Sequence, residues 1–222
     1  MQSLLRIPLN TTPEQFGKLR ALQVAFAEVC NAIAPVVQST RCWNRVALHH
    51  LVYHPMRERF PALGSQMICN AVYSVSRVAR QVLQHPSSPW NVNKHSAAAL
   101  PLLRFSPTAP VYFDRHTLSL KGNTLSMFTL DGRVRFNLLL SPADSARFHQ
   151  DKLLEVALRA AGTGFELDFR FASPEAARDA EAMASQGLLP EYVLVIPSET
   201  AATPPADDRL PSHDGPDPIA AR

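Results

Sequence analysis

Six residues over one stretch of the chain carry the chemistry that stands out first: Gln66, Asn70, Tyr73, Arg77, Arg80 and Gln84, spaced by 4, 3, 4, 3 and 4. On a helix this spacing puts all six on one stripe. Each side chain can donate a hydrogen bond, two carry fixed positive charge, and Tyr73 offers an aromatic face, a combination that suits phosphates and base edges. The ordinary alternative is a solvated helix face. Exposed faces normally mix charge signs, so a stripe with no carboxylate favours nucleic-acid contact. A second basic row comes from Arg133 and Arg135, which alternate with Val134 and Phe136 and so fall on the polar face of a strand. Tyr53, Trp43 and Trp90 are candidates for stacking on bases, although anchoring a core is the commoner role of such residues.

Other chemistries are declined. His50 and His54 stand at i, i+4 as two metal ligands would, but no HExxH pattern surrounds them and Pro55 follows at once. Cys30, Cys42 and Cys69 match no zinc spacing and read as buried thiols. Ser65 lacks a GxSxG elbow, and no glycine-rich loop opens a helix as a phosphate cradle would. The expectation is a protein that is not an enzyme and uses neither cofactor nor metal.

Charge is distributed unevenly. Residues 1–110 hold 11 Lys and Arg against 3 Asp and Glu, residues 111–172 hold 8 against 7, and residues 173–222 hold 3 against 9. The net values are +8, +1 and −6. A basic front suits a polyanion, since cations that neutralise phosphates release condensed counterions; a solubilising surface charge is the plain alternative. No uninterrupted apolar stretch of about 18 residues occurs, so no membrane span is expected and the chain reads as cytoplasmic.

The elements that must position these residues follow from periodicity. Ser3 to Leu9 alternates as a short strand. Thr12-Pro13-Glu14-Gln15 starts a helix as a capping box, with Phe16, Leu19, Leu22, Phe26, Val29 and Ile33 at helical spacing and Pro35 stopping or kinking it. A second helix is expected from Asn44 to Tyr53, broken by Pro55 and Pro61. The third, Ser65 to Gln84, carries the polar stripe opposite a broad apolar face. Residues 85–110 read as a linker. Beyond them the period changes to 2, with strands at 111–114, 117–120, 124–130, 133–140, 152–160 and 165–171, and Asp131-Gly132 as a hairpin signal. Seven strands make a closed or nearly closed antiparallel barrel the economical arrangement, because closure removes exposed edges. The helices are then an insertion after the first strand. Ser173-Pro174-Glu175 opens a short helix, Tyr192 to Ile196 is an isolated apolar run, and the tail from about Ser198 is expected to be disordered.

This order of features resembles the N-terminal half of TnpB-type RNA-guided nucleases, transposon-encoded relatives of the type V CRISPR effectors. The residues that carry the likeness are Arg41-Cys42-Trp43-Asn44, Leu48-His49-His50 with Tyr53, Leu63-Gly64-Ser65-Gln66-Met67-Ile68-Cys69-Asn70-Ala71, and Phe165-Glu166-Leu167-Asp168-Phe169. The likeness covers roughly residues 1–172. It implies an α+β fold in which a wedge or OB-like barrel (1–10 and 101–172) is interrupted by a helical recognition lobe (11–100), followed by an extension (173–197) and a tail (198–222). It also implies a structured guide-like RNA as partner, and duplex DNA beside a target motif read from Gln66 and from near Tyr53. Arg77 and Arg80 would meet phosphates. The RuvC strand ending in Asp-x-Gly and the CxxC zinc ribbon of the family are missing, so cleavage is not expected, and a partner chain would supply the absent lobe. A protein-interaction or inhibitory subunit that keeps the fold without RNA, or a decayed transposon fragment, are the alternatives.

Overall fold

The computed structural model describes residues 2–94, 99–172 and 189–198. The segments beginning at Ser173 and Glu199, where a helix and a disordered tail were expected, lie outside the described residues. Strand β1 (Gln2–Leu9) leads into three helices, α1 (Pro13–Thr40), α2 (Arg45–Arg59) and α3 (Ser65–Gln84). Strands β2 (Leu102–Phe105), β3 (Val111–Phe113), β4 (Leu118–Lys121), β5 (Thr124–Thr129) and β6 (Gly132–Asn137) come next. Helix α4 (Pro142–Gln150) and strands β7 (Lys152–Ala161), β8 (Gly164–Ala172) and β9 (Val193–Ile196) complete the described chain. The fold is mixed α+β with antiparallel pairing throughout.

The strands do not close into a barrel. They form three open sheets, β1-β8-β7-β3, β4-β5-β6 and β2-β9. The break lies between β3 and β4. There Asp114 turns the chain, its carboxylate accepting from the backbone N–H of His116 and Thr117 and from the Thr117 hydroxyl, so β4 starts a separate ladder. Helices, not strand pairing, cover the apolar faces. Phe16 of α1 packs on Phe165 at 5.2 Å, and Phe148 of α4 meets Phe169 and Phe171 edge-on at 5.0 and 5.2 Å. Pro8 and the charged Arg6 blunt the open edge at β1.

Helix α1 starts where expected, with the Thr12 and Gln15 capping box formed, but it runs through Pro35 to Thr40. An interior proline forfeits one backbone bond and costs about 3 kcal/mol. Burial of Val37 past it, and the bond from Gln38 Nε2 to the Leu100 carbonyl at 2.9 Å, offset that cost. Helix α2 likewise continues through Pro55, because Met56 beyond it is buried. Its start is capped by Asn44, whose side chain accepts from the N–H of Val46 and Ala47. By length and composition α1 could cross a membrane, yet half of that stretch is buried in the core.

Residues 100–109, expected as linker, are held in place. They contain β2, and α1 fastens them with a row of polar side chains. The Gln23 amide donates to the carbonyls of Thr108 (3.0 Å) and Ala109 (3.2 Å). Asn31 pairs with both backbone groups of Phe105, at 2.9 and 2.7 Å, as a neighbouring strand would. One continuous apolar cluster then joins the helices to the strands, with Phe26, Ile68, Phe105, Phe169 and Phe171 among its fully buried members.

Cys30 is sealed in this cluster, and burial pushes its thiol up to about 12. Only the thiolate reacts. Iodoacetamide at mildly alkaline pH is therefore expected to label the half-buried Cys42 and Cys69 in the native protein and to reach Cys30 only after unfolding, as read by peptide mass spectrometry. Native labelling of Cys30 at their rate would show that this core opens readily.

Candidate nucleic-acid interface

Helix α3 forms as its periodicity demands, with all nine apolar residues of its inner face buried. The opposite stripe is divided. Its middle faces inward: Asn70 is buried and donates to the Tyr112 carbonyl at 3.0 Å. The Tyr73 hydroxyl donates to Glu155 Oε2 at 2.6 Å, and Arg77 donates to the same oxygen. Arg170 approaches the other carboxylate oxygen at 3.3 Å. Burial, then the bond to Glu155, raises the Tyr73 hydroxyl above its usual range. Burial opposes the charge on Arg77, but Tyr112 and Glu155 outweigh it and raise the guanidinium's pKa. These residues tie α3 to β3 and β7. Only the ends of the stripe stay outward: Gln66 at the start of the helix, and the exposed Arg80 and Gln84 at its end.

The outer face of β1-β8-β7 is equally self-neutralised. Arg6 and Arg159 reach Asp168, which is only 2% exposed, at 3.2 and 3.4 Å, and Arg6 also lies 3.9 Å from Glu166. Four arginines, counting Arg77 and Arg170, are thus matched to three carboxylates on these strands.

The outer face of β4-β5-β6 differs. Its register sets Ser119 and Lys121 beside Ser126 and Thr124, and these beside Arg135 and Asn137, with Phe128 opposite Arg133. No outward position of that sheet carries a carboxylate. Arg133 is held across β5 by bonds to the Ser126 side chain (2.9 Å) and carbonyl (2.7 Å) and to the His116 carbonyl (3.3 Å). Arg135 and Lys121 are exposed and make no side-chain contact with an acid among the described residues. The start of α3 adjoins this face, since Gly64 sits against the Phe128 ring.

Tyr53 lies on α2 in a short aromatic stack, 4.8 Å from His49 and 5.3 Å edge-on to His54, while Arg45 of the same helix lies over the Tyr73 ring at 5.1 Å. Trp43, Tyr53 and Trp90 all pack against the core. His50 and His54 are exposed, and no group of three or more metal-ligating side chains occurs among the described residues.

No family model and no curated protein matches this chain. Its chemistry is read from its own geometry.

Sequence reasoning missed two features. Helix α4 was legible, because Ser141-Pro142-Ala143-Asp144 is a capping box and forms as one. The second is a cleft of about 910 Å³ between β4, α4 and β7, lined among others by Gln66, His116, Asn123, Phe148, His149 and Leu154. Those residues come from five separate parts of the chain, and no local spacing announces them.

Proposed function

We propose that this chain is a non-catalytic RNA-binding protein, a nuclease-less relative of the TnpB-type effectors. It holds a structured guide-like RNA, engages duplex DNA through it, and works as an RNA carrier, a repressor or the accessory subunit of a partner chain. The observation that carries this reading is the contrast between two sheet faces. On β1-β8-β7 every arginine is spent on a carboxylate, whereas Lys121, Arg133 and Arg135 on β4-β5-β6 have none among the described residues. Cations left uncompensated on a face of hydroxyls and amides are poised for phosphates, which repay their desolvation with charge-assisted bonds. Arg80 adds an exposed cation at the far end of α3. With a guide RNA bound, base pairing supplies sequence specificity and the protein supplies shape and charge recognition.

The protein purified from its own host is expected to bring a discrete, structured RNA with it; no RNA at low salt would sink the reading. With that RNA in hand, the double substitution Arg133→Ala, Arg135→Ala should lower the slope of log affinity against log salt by about 1.5–2, for two lost phosphate contacts. An unchanged slope would mean the face is only solvated.

A second reading, a protein-interaction subunit, draws on the exposed Val46 (66%) and Leu51 (48%) of α2, which no described residue covers. Co-purification of a stoichiometric protein without RNA would favour it.

A further inference from the structure

The cleft of about 910 Å³ beside the basic face is not used by the reading above. Two free strand edges open it. Among the described residues β4 pairs only with β5, and β7 pairs with β3 only over Val156–Leu158, so Lys152–Glu155 has β8 on one side and the cleft on the other. Its floor is apolar, with Phe113, Leu118, Val156 and Phe169. Around that floor the side chains of Gln66, Ser119, Asn123, Ser145 and His149 have no hydrogen-bond partner among the described residues. The two carboxylates on the wall are already occupied. Asp114 caps its own turn, and Glu155 is shared by Tyr73, Arg77 and Arg170. The charge left to act at the rim is that of Arg115 and the neighbouring Lys121.

An apolar floor ringed by a few uncommitted polar groups is the usual build of a ligand site, and about 910 Å³ lies at the upper end of the usual range. Primary amides at Gln66 and Asn123 match the donor and acceptor edges of bases. The rings of Phe148 and His149 offer stacking surfaces, and Lys121 leads from the rim onto the outer face of β4-β5-β6.

We propose that this cleft receives unpaired nucleobases of a single-stranded RNA segment, while its phosphates follow Lys121 and Arg115 onto the basic face. The inference rests on the RNA-binding reading and gives that reading a substrate form: RNA with an unstacked segment, not duplex alone.

The probe is oligouridine carrying thiouridine, compared with a fully paired RNA duplex on the intact protein. Photo-crosslinks mapped by mass spectrometry are expected at His116, Phe148 or His149. Ser145→Trp and Leu154→Trp, at half-buried and exposed positions on α4 and β7 away from the basic sheet face, should fill the cleft. Each should weaken oligouridine about tenfold, the value of roughly one stacked base, and leave duplex affinity unchanged. Retained duplex binding also shows that the variants are folded. If the wild-type protein binds neither RNA, the underlying reading fails and this one with it. If it binds oligouridine but both tryptophan variants bind as well as wild type, or the crosslinks fall only on the outer sheet face, the cleft inference is overturned and the RNA reading stands.

Discussion

Replacing Glu155 by alanine is expected to lower the folding free energy by about 3 kcal/mol, measured by urea denaturation followed by far-UV circular dichroism. Glu155 sits with its side chain 11% exposed at the junction of α3 and β7, accepting from the Tyr73 hydroxyl and facing the guanidinium groups of Arg77 and Arg170. Its removal leaves two partly buried cations without a counter-charge and one partly buried hydroxyl without its acceptor. Breaking a buried pair costs about 3–5 kcal/mol. The lower end applies, because both arginine side chains keep about a third of their surface in water. The loss should be non-additive. Adding Arg77→Met to Glu155→Ala removes one of the two stranded cations, and the double variant is expected to recover part of the stability lost by the single one. A loss below about 1 kcal/mol for Glu155→Ala would mean that solvent reaches the cluster and that it does not fasten α3 to the sheet.

The same cluster shows where the sequence was legible. Periodicity located α3 and its two faces, because an amphipathic pattern is a local property of consecutive residues. It could not say that Asn70, Tyr73 and Arg77 meet partners on β3 and β7, since Glu155 lies 78 positions from Arg77 and its spacing carries no signal. A polar stripe free of carboxylates looks the same whether its partner is a phosphate or a glutamate from another strand. Arg77 therefore reports on folding, and Arg80 is the stripe arginine that tests binding. Arg133 and Arg135 do fall on the exposed face of β6, because an alternating strand fixes its two faces by geometry alone.

The closed barrel failed for a related reason. Counting strands gives a plausible closure, but closure depends on what covers each face and edge. Here α1 and α4 cover the apolar faces and the Asp114 turn separates β3 from β4. Prolines misled in the opposite direction. Pro35 was expected to stop or kink α1 and Pro55 to break α2, yet tertiary burial carries both helices past them, since propensity is a weak prior against a well-packed face.

Residues 100–109 give the second large effect. Gln23→Met is expected to cost about 2 kcal/mol in the same denaturation experiment. Gln23 is fully buried, and its amide donates to the carbonyls of Thr108 and Ala109 while its own oxygen accepts from Arg20 at 3.0 Å. Methionine has nearly the same length and fills the space, so no cavity term enters. What is lost is hydrogen bonding: the Ala109 carbonyl is left buried without its donor, and an unsatisfied buried group costs about 1–3 kcal/mol. Asn31→Leu should behave similarly at Phe105, though there β9 still supplies pairing along the other edge of β2. Because β2 and the residues after it deliver β3 to its place beside β7, loosening them should also loosen the Glu155 cluster. Gln23→Met and Glu155→Ala together are then expected to cost less than the sum of their separate effects, since the first already frees part of what the second breaks. Strict additivity would show that α1 and α3 hold the sheet independently.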